Sequence, residues 1–197
     1  MMKRKIFVLY TGGTIGMSRG SDGLRPDTAL AGKALQPFSD GLDFDWHICD
    51  PLIDSSAVTL EDWRGWLDIL AAKIPFFGIC FGNQILGRAL GLNTYKMKFG
   101  HRGINVPVLN HLTGTIDITS QNHGFALEGT AGTTFTTPYG DAQVTHTCLN
   151  DGTVEGVALT SGLAYSVQYH PESAAGPHDA NPLFDQFVTL MANHKTH

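Results

Sequence analysis

The chain has 197 residues, of which 42% are hydrophobic and 16% are charged, and its formal net charge is −5. This composition is typical of a globular protein with one sizeable core, and it excludes a disordered chain. The negative charge leaves no basic surface for nucleic acid or an anionic membrane, and no apolar run is long enough to span a bilayer, so we expect neither as a partner.

Short apolar runs alternate with helical patterns in the first part of the chain. Strands are predicted over residues 5–10, which precede a Thr-Gly-Gly-Thr turn, and over residues 44–49. Helices are predicted over residues 27–38 and over residues 60–74, where leucines and tryptophan recur at helical spacing. We expect the two strands to pair in parallel beside a third strand at residues 76–79, because each run is apolar on both faces.

The second part of the chain begins with a strand and a helix, and mostly short strands are predicted after them. After the strand at residues 76–79, a helix is predicted over residues 81–90. Further elements follow: short strands at residues 115–119, 143–149, 154–159 and 164–169, and a closing helix over residues 181–193. This pattern predicts an α/β fold, with a mostly parallel central sheet and flanking helices, plus short antiparallel strands in the C-terminal half.

The sequence Gly78-Ile79-Cys80-Phe81-Gly82 lies where a predicted strand turns into a predicted helix. It is the thiol counterpart of the G-x-S-x-G nucleophile elbow, in which the flanking glycines allow a sharp turn and a close approach of the helix. The sulfur would lie at the carboxyl edge of the sheet beside a helix N-terminus, which favours thiolate over thiol. The alternative is that Cys80 is only a small buried residue, since free cysteines are often buried.

A second polar motif, His170-Pro171-Glu172, follows the predicted strand at residues 164–169. A cysteine nucleophile needs a base to take its proton, and the base needs a third group to hold its tautomer. A carboxylate two residues beyond the histidine can serve as that group. The histidine motif and the cysteine elbow together predict nucleophilic catalysis by Cys80.

Four blocks of sequence extend these motifs over residues 75–191: PFFGICFGNQILGRALG, KMKFGHRGINVPV, SQNHGFAL and SVQYHPESAAGPHDANPLFDQF. In this order they resemble class I glutamine amidotransferases, most closely the small-chain branch of carbamoyl-phosphate synthase. The resemblance implies that Cys80 is the nucleophile, His170 the base and Glu172 the group that orients it. It also implies a set of substrate-binding residues, namely Phe81 through its backbone N–H, and Gln84, Asn122, Gly124 and Phe125.

The same resemblance implies the reaction and its partners. L-Glutamine would be hydrolysed to glutamate and ammonia through a cysteine thioester, and the ammonia would pass to a partner synthetase. We expect no cofactor and no metal, and we interpret His101 and His123 as solvated or structural residues. Asn83 stands where the family commonly has histidine, a departure that we expect to be tolerated.

The cysteine count bears on the compartment. The three cysteines, Cys49, Cys80 and Cys148, form neither a paired framework nor a CxxC motif. Free thiols of this kind suggest a reducing environment, so we expect a cytoplasmic protein.

The sequence before the elbow resembles a different family. The blocks VLYTGGTIGM, DGLRP and PLIDSSAVTLEDW, within residues 2–73, resemble the start of a bacterial type I L-asparaginase. The resemblance implies that Thr14 is its nucleophilic threonine and that Ser55 lies near the amino-acid substrate. The second catalytic threonine, the aspartate and the lysine of that family are absent from this chain, so we expect this segment to be catalytically silent.

The chain therefore resembles a chimera, which we interpret as a single composite α/β domain over residues 1–197. Residues 1–74 form its asparaginase-like segment and residues 75–197 its amidotransferase-like segment. The glycine-rich turn that completes the amidotransferase oxyanion hole is missing. Three functions remain open: a glutaminase impaired by that loss, an asparaginase at Thr14, and a scaffold with little or no activity. A designed recombinant, a natural fusion and a mis-assembled gene also remain open as origins.

Overall fold

The computed structural model describes residues 4–10, 17–20, 23–26, 42–48, 75–172 and 179–194. The chain divides into two compact units, Met1–Asp62 and Trp63–His197. Among the described residues, no helix is both long and apolar enough to cross a bilayer.

The described part of the first unit consists of two strand pairs. Strand β1 (Arg4–Tyr10) pairs in parallel with β4 (Leu42–Ile48), so the predicted pairing of these two runs is confirmed. Strands β2 (Met17–Gly20) and β3 (Gly23–Pro26) form an antiparallel hairpin that the sequence analysis missed.

Several predictions fall outside the described residues. They are the helices at residues 27–38 and 60–74, and the asparaginase-like residues Thr14 and Ser55. That the strands of both units form one sheet stays a prediction.

The second unit is built on one seven-stranded sheet. Its strands are β5 (Phe76–Ile79), β6 (Thr94–Asn110), β7 (Ile116–Leu127), β8 (Thr134–Thr137), β9 (Gly140–Cys148), β10 (Val154–Leu159) and β11 (Ala164–Val167). Their order is β5-β11-β10-β7-β6-β9-β8, and β10 also pairs with β9. Strands β10, β7, β6 and β9 therefore close into a four-stranded antiparallel barrel. The helices described beside this sheet are α1 (Phe81–Ala89) and α2 (Pro182–Asn193).

The predicted fold class, an α/β fold with a mostly parallel central sheet, is wrong. In the sheet of the second unit only the pairing of β5 with β11 is parallel, and strands far outnumber helices in the described ranges. The error arose mainly at β6, whose 17 residues were not predicted as a strand. Apolar residues alternate over residues 95–99 and again over residues 104–108, but Gly100-His101-Arg102-Gly103 interrupts the pattern between them, and Pro107 lies in the second stretch. The strand is extended because it pairs with β7 over most of its length, and such cross-strand stabilisation is not visible in a local sequence.

Other elements match their predictions closely. Strands β5 and β10 have the predicted bounds, and α1 and α2 begin and end within one residue of theirs. Each of these segments has an apolar pattern that suits its element without a distant partner.

The core holds α1 and β5 against the barrel. Leu86 of α1 and Leu90, at the C-terminal cap of that helix, pack with Leu127 of β7 in one buried cluster. A Cβ added at Gly87 would lie 2.3 Å from a methyl carbon of Leu127, so the helix can approach the barrel this closely only with glycine there. This contact holds the C-terminal half of α1 against the barrel.

A second apolar cluster fixes the β5–β11 pair beneath α2. Phe77 of β5 stacks on Tyr165 of β11 with ring centroids 4.6 Å apart, and it also contacts Phe184 of α2 edge-on. The Tyr165 hydroxyl donates a hydrogen bond of 2.6 Å to the carbonyl of Leu183. The two strands that end at the cysteine and histidine motifs are therefore anchored on the same helix.

Candidate active site

Cys80 occupies the turn between β5 and α1 in a strained backbone conformation. Its φ is 53° and its ψ is −102°, and no other non-glycine residue in the described ranges has a positive φ. Two hydrogen bonds hold the turn: the Cys80 N–H donates to the carbonyl of Val167 at 2.9 Å, and the Asn83 N–H donates to the carbonyl of Cys80 at 3.0 Å. Strain of this kind persists only where the surroundings over-determine it, and it concentrates at functional sites.

The two glycines beside Cys80 play different parts. A Cβ at Gly78 would lie 2.5 Å from the carbonyl oxygen of Gly82, so a side chain there would push the helix start away from the strand. A Cβ at Gly82 would meet nothing within 4 Å. The sharpness of the elbow thus depends on Gly78.

The topology of the sheet brings the two catalytic motifs together. Strands β5 and β11 are parallel neighbours, and Ile79 lies opposite Val167 in their register. Cys80 and His170 follow the ends of these strands, so they lie at the same edge of the sheet. Residues separated by 90 positions in sequence are neighbours because of this one parallel pairing.

His170 and Glu172 form a buried pair. The histidine Nδ1 lies 2.8 Å from Glu172 Oε1, and both side chains are almost fully shielded from solvent. The His170 backbone N–H donates to the carbonyl of Ser120 at 2.8 Å, which fixes the main chain at this point. Because a carboxylate accepts hydrogen bonds, Nδ1 carries a proton and Nε2 is the nitrogen left for Cys80.

The charge state of His170 follows from its neighbours. Burial lowers the pKa of His170, but Cys80 and then Glu172 outweigh burial and raise it to about 10. Cys80 and Glu172 thus both favour the charged form of the same imidazole, and the catalytic roles of these three residues stay a prediction. An arrangement of this kind suits nucleophilic attack by sulfur.

Cys80 Sγ has two further polar neighbours. The thiol can donate to the backbone carbonyl of Asn122 at 4.0 Å, and the side-chain amide Nε2 of Gln168 donates to the sulfur at 3.7 Å. The sequence analysis missed Gln168. The one signal in the sequence was a polar residue between Val167 and Tyr169 in a predicted strand. In the structure both of these neighbours are fully buried.

The predicted substrate-binding residues lie on two elements beside the sulfur. Phe81 is the first residue of α1, while Asn122, Gly124 and Phe125 lie close together on β7. Gln84 lies deeper than expected for a residue that holds a substrate. It is 6% exposed, and its amide donates to the carbonyl of Phe125 at 3.1 Å.

Asn83 is accommodated by a buried hydrogen-bond network. It is fully buried, and its amide nitrogen donates to Gln168 Oε1 at 3.2 Å. Its Oδ1 accepts a hydrogen bond of 2.9 Å from the hydroxyl of Ser166. Both ends of the asparagine side chain are thus paired.

His101 and His123 take part in a separate polar cluster that joins β6, β7 and β10. His101 Nδ1 lies 2.9 Å from Gln121 Oε1 and 3.0 Å from Glu155 Oε1, and its Nε2 lies 2.9 Å from Asp151 Oδ2. The Nε2 of His123 lies 3.0 Å from the same oxygen of Gln121. These contacts support a structural role for both histidines.

The ligand atoms of His101, His123 and Glu155 lie within 4.8 Å of one another, close enough to hold a metal ion. The hydrogen bond to Glu155 raises the pKa of His101 to about 9, against a lowering effect of burial. A metal ion would have to displace a proton from this ring, so the raised pKa opposes metal ligation by His101 at neutral pH.

Two family models match parts of this chain. The model described as glutamine amidotransferase class-I matches residues 66–190, and the model described as the N-terminal part of asparaginase matches residues 5–79. The first match covers more than half of the chain and includes Cys80, His170 and Glu172.

Individual relatives match the amidotransferase-like part of the chain. The carbamoyl phosphate synthase small chain of Corynebacterium diphtheriae is 84% identical over 128 residues, which are 65% of this chain and 34% of that relative. The small chain of Mycobacterium tuberculosis is 71% identical over 125 residues, which are 64% of this chain and 33% of that relative. The chain thus spans about a third of the length of these relatives.

Solved structures resemble the fold over most of the chain. A protein from Thermoplasma acidophilum, described as one of the subunits of GMP synthase, is 19% identical with a TM-score of 0.68, covering 96% of this chain and 94% of that one. A glutamine amidotransferase from Thermotoga maritima is 17% identical with a TM-score of 0.55, covering 86% of this chain and 76% of that one. At these identities the likeness concerns the fold.

Proposed function

The chain belongs to the class I glutamine amidotransferase family, and we propose that it hydrolyses the side-chain amide of L-glutamine to glutamate and ammonia. The observation that carries this proposal is the strained elbow at Cys80 together with the buried pair of His170 and Glu172. The raised pKa of His170 supports the same assignment, because it reports an imidazole that gains its charge beside the cysteine.

The first half of the reaction transfers the γ-glutamyl group of glutamine to sulfur. At neutral pH the raised pKa of His170 keeps the proton from the thiol on Nε2, and Sγ attacks the carboxamide carbon of glutamine as a thiolate. The carbonyl oxygen becomes an oxyanion, which the N–H of Phe81 at the N-terminus of α1 would stabilise. His170 then gives its proton to the departing nitrogen, so that ammonia leaves and a thioester remains.

The second half of the reaction releases glutamate. His170 takes a proton from water, and the resulting hydroxide attacks the thioester carbon. The carbon–sulfur bond breaks, and the sulfur leaves as an anion or takes its proton back from His170. Glu172 holds the imidazole through Nδ1 in both halves and stabilises its positive charge.

We assign glutamine binding to groups around the sulfur. Backbone groups of Asn122, Gly124 and Phe125 on β7 would hold the amino-acid end of the substrate, and Gln84 would support them through its bond to the carbonyl of Phe125. The reaction needs only proton transfer and sulfur chemistry, so no cofactor enters it.

We further propose that a partner synthetase accepts the ammonia. The support is the similarity to carbamoyl phosphate synthase small chains, at 84% identity over the shared part. Because the chain spans about a third of those relatives, a surface for such a partner would have to lie within the shared part.

The two families meet within the chain, and we propose that it is a chimera joined at residues 73–77. The support is the pair of family models, which match residues 5–79 and 66–190 and overlap only around this point. Amplifying the gene across this junction from source DNA tests the proposal. A single amplified product that spans the junction would contradict mis-assembly of the gene. Finding the two parts only as separate genes would contradict a natural fusion.

Ammonia release from glutamine and from asparagine tests the proposed activity. We expect release from glutamine that is abolished by Cys80→Ala and retained by Cys148→Ala, a control at a buried cysteine. The variant Thr14→Ala should retain it too. Release from asparagine that depends on Thr14 would favour the asparaginase-like segment instead, and no release from either amide would favour an inactive scaffold.

A further inference from the structure

We propose that Gln168 is a further catalytic residue, whose side-chain amide donates a hydrogen bond to Cys80 Sγ and stabilises the sulfur in its anionic form. This inference deepens the proposed function and rests on it, because it assigns a task within the same site. It adds to the triad a neutral donor to the nucleophile.

The burial of Gln168 makes its three contacts obligatory. The residue is fully buried at the end of β11, two positions before His170. Burying an amide is unfavourable unless its polar atoms are paired. Its Oε1 accepts from Asn83 at 3.2 Å and from Gln84 at 3.3 Å, and its Nε2 faces Cys80 Sγ at 3.7 Å.

The orientation of this amide follows from its neighbours. The backbone carbonyl of Phe125 can only accept, so the Gln84 atom that contacts it is the nitrogen. The same nitrogen contacts Gln168, so the Gln168 atom that receives it is the oxygen. The opposite end of the Gln168 amide, which faces Cys80, is therefore the NH2 group.

A second donor holds the same orientation. Asn83 Nδ2 also donates to Gln168 Oε1, while Asn83 Oδ1 accepts from the hydroxyl of Ser166. Turning the Gln168 amide over would place its NH2 group against two other donors. The network thus fixes an N–H toward the sulfur before any substrate binds.

The two polar neighbours of the sulfur favour different protonation states of the Cys80 side chain. The Asn122 carbonyl accepts a hydrogen bond only from the neutral thiol, whereas the Gln168 N–H donates best to the anion. A hydrogen bond to the charged form of a group favours that form. On ionisation the sulfur loses its contact with Asn122 and keeps the one with Gln168.

The test is the pH dependence of iodoacetamide alkylation at Cys80, followed by mass spectrometry of its peptide. In Gln168→Glu, a carboxylate oxygen replaces the N–H beside the sulfur, while the other oxygen still accepts from Asn83 and Gln84. We expect alkylation at pH 7 to slow about tenfold and the pH of half-maximal rate to rise by about one unit. The control Gln143→Glu makes the same change at an exposed contact on β9 and should leave both values unaltered.

Two results would overturn the inference. One is an unchanged profile in Gln168→Glu, and the other is a slower rate with no shift of the half-maximal pH, which a purely structural role would give. Thermal melting is recorded first for each variant. Because the new carboxylate repels a thiolate whether or not the amide donates, Gln168→Met is measured in parallel and removes the donor without adding charge. It should shift the profile in the same direction by about half as much, and no shift overturns the inference.

This readout is independent of the proposed function. Alkylation is measured without glutamine, so a wild-type protein that releases no ammonia would refute the glutaminase while the thiol profile still decides the role of Gln168.

Discussion

At the residue scale, the elbow depends on a contact between two backbones. The carbonyl of Gly82 approaches Gly78 so closely that a methyl group would overlap it. The same turn puts Cys80 at a positive φ, which costs energy for a residue with a side chain. The neighbouring packing must supply that energy, so the site is sensitive to small changes here.

A matched pair of alanine variants tests this dependence. Gly78→Ala should lower the free energy of unfolding by about 1–3 kcal/mol, because the added methyl overlaps backbone that cannot move freely. Gly82→Ala should change it by less than about 1 kcal/mol, since open space surrounds that position and alanine favours a helix. Urea unfolding measures both, and equal effects of the two variants would contradict the close approach.

At the element scale, ion pairs between strands contribute to the stability of the barrel. His101 on β6 donates to Glu155 on β10 and to Asp151 in the turn before it, and Glu155 is fully buried. A buried carboxylate is stabilised only when it is paired, so these strands depend on the charge of His101.

This pairing predicts a pH dependence of stability. The pKa of His101 is raised from 6.5 to about 9 in the folded protein, so its stabilising contribution is complete below pH 6.5. The contribution is lost as the pH rises through 9. In Glu155→Gln the largest cause of the raised pKa is removed, and the free energy of unfolding should fall less between pH 6.5 and 9 than in the wild type.

Urea unfolding at both pH values measures the difference between the two proteins. The exposed Glu128→Gln is the control for the loss of one negative charge and should keep the slope of the wild type. An unchanged slope in Glu155→Gln would contradict the assigned pairing.

At the scale of the whole molecule, the proposed glutaminase activity should be limited by a part of the oxyanion site that the sequence lacks. The glycine-rich turn of related amidotransferases is absent, and one lost oxyanion donor lowers a rate roughly 10²–10³-fold. We expect kcat for glutamine below the usual range of about 1–10³ s⁻¹. Steady-state ammonia release measures it. A value within that range would mean that residues 51–56 replace the missing turn.

We also propose that the two units, Met1–Asp62 and Trp63–His197, unfold as one domain. The first unit is too short to bury a good core by itself, so its stability should depend on the second. Calorimetry should give a single transition whose calorimetric and van't Hoff enthalpies agree. The Gly78→Ala variant should lower the midpoint temperature of that single transition. Two transitions, of which only one moves, would contradict the proposal.

The sequence by itself determined several local elements. The apolar run of β5, the turn at Gly78-Ile79-Cys80 and the contact between His170 and Glu172 each depend on residues only a few positions apart, so they could be predicted from the sequence. The catalytic roles of these residues stay a prediction. The tertiary structure decided the rest. Strand β6 is extended because it pairs with β7, and Gln168 matters because its neighbours in space are Cys80, Asn83 and Gln84. Strand β7 follows β6 directly, but pairing is a property of both strands together, and the partners of Gln168 lie 84 to 88 positions away in the chain. A local sequence does not record which groups it will meet.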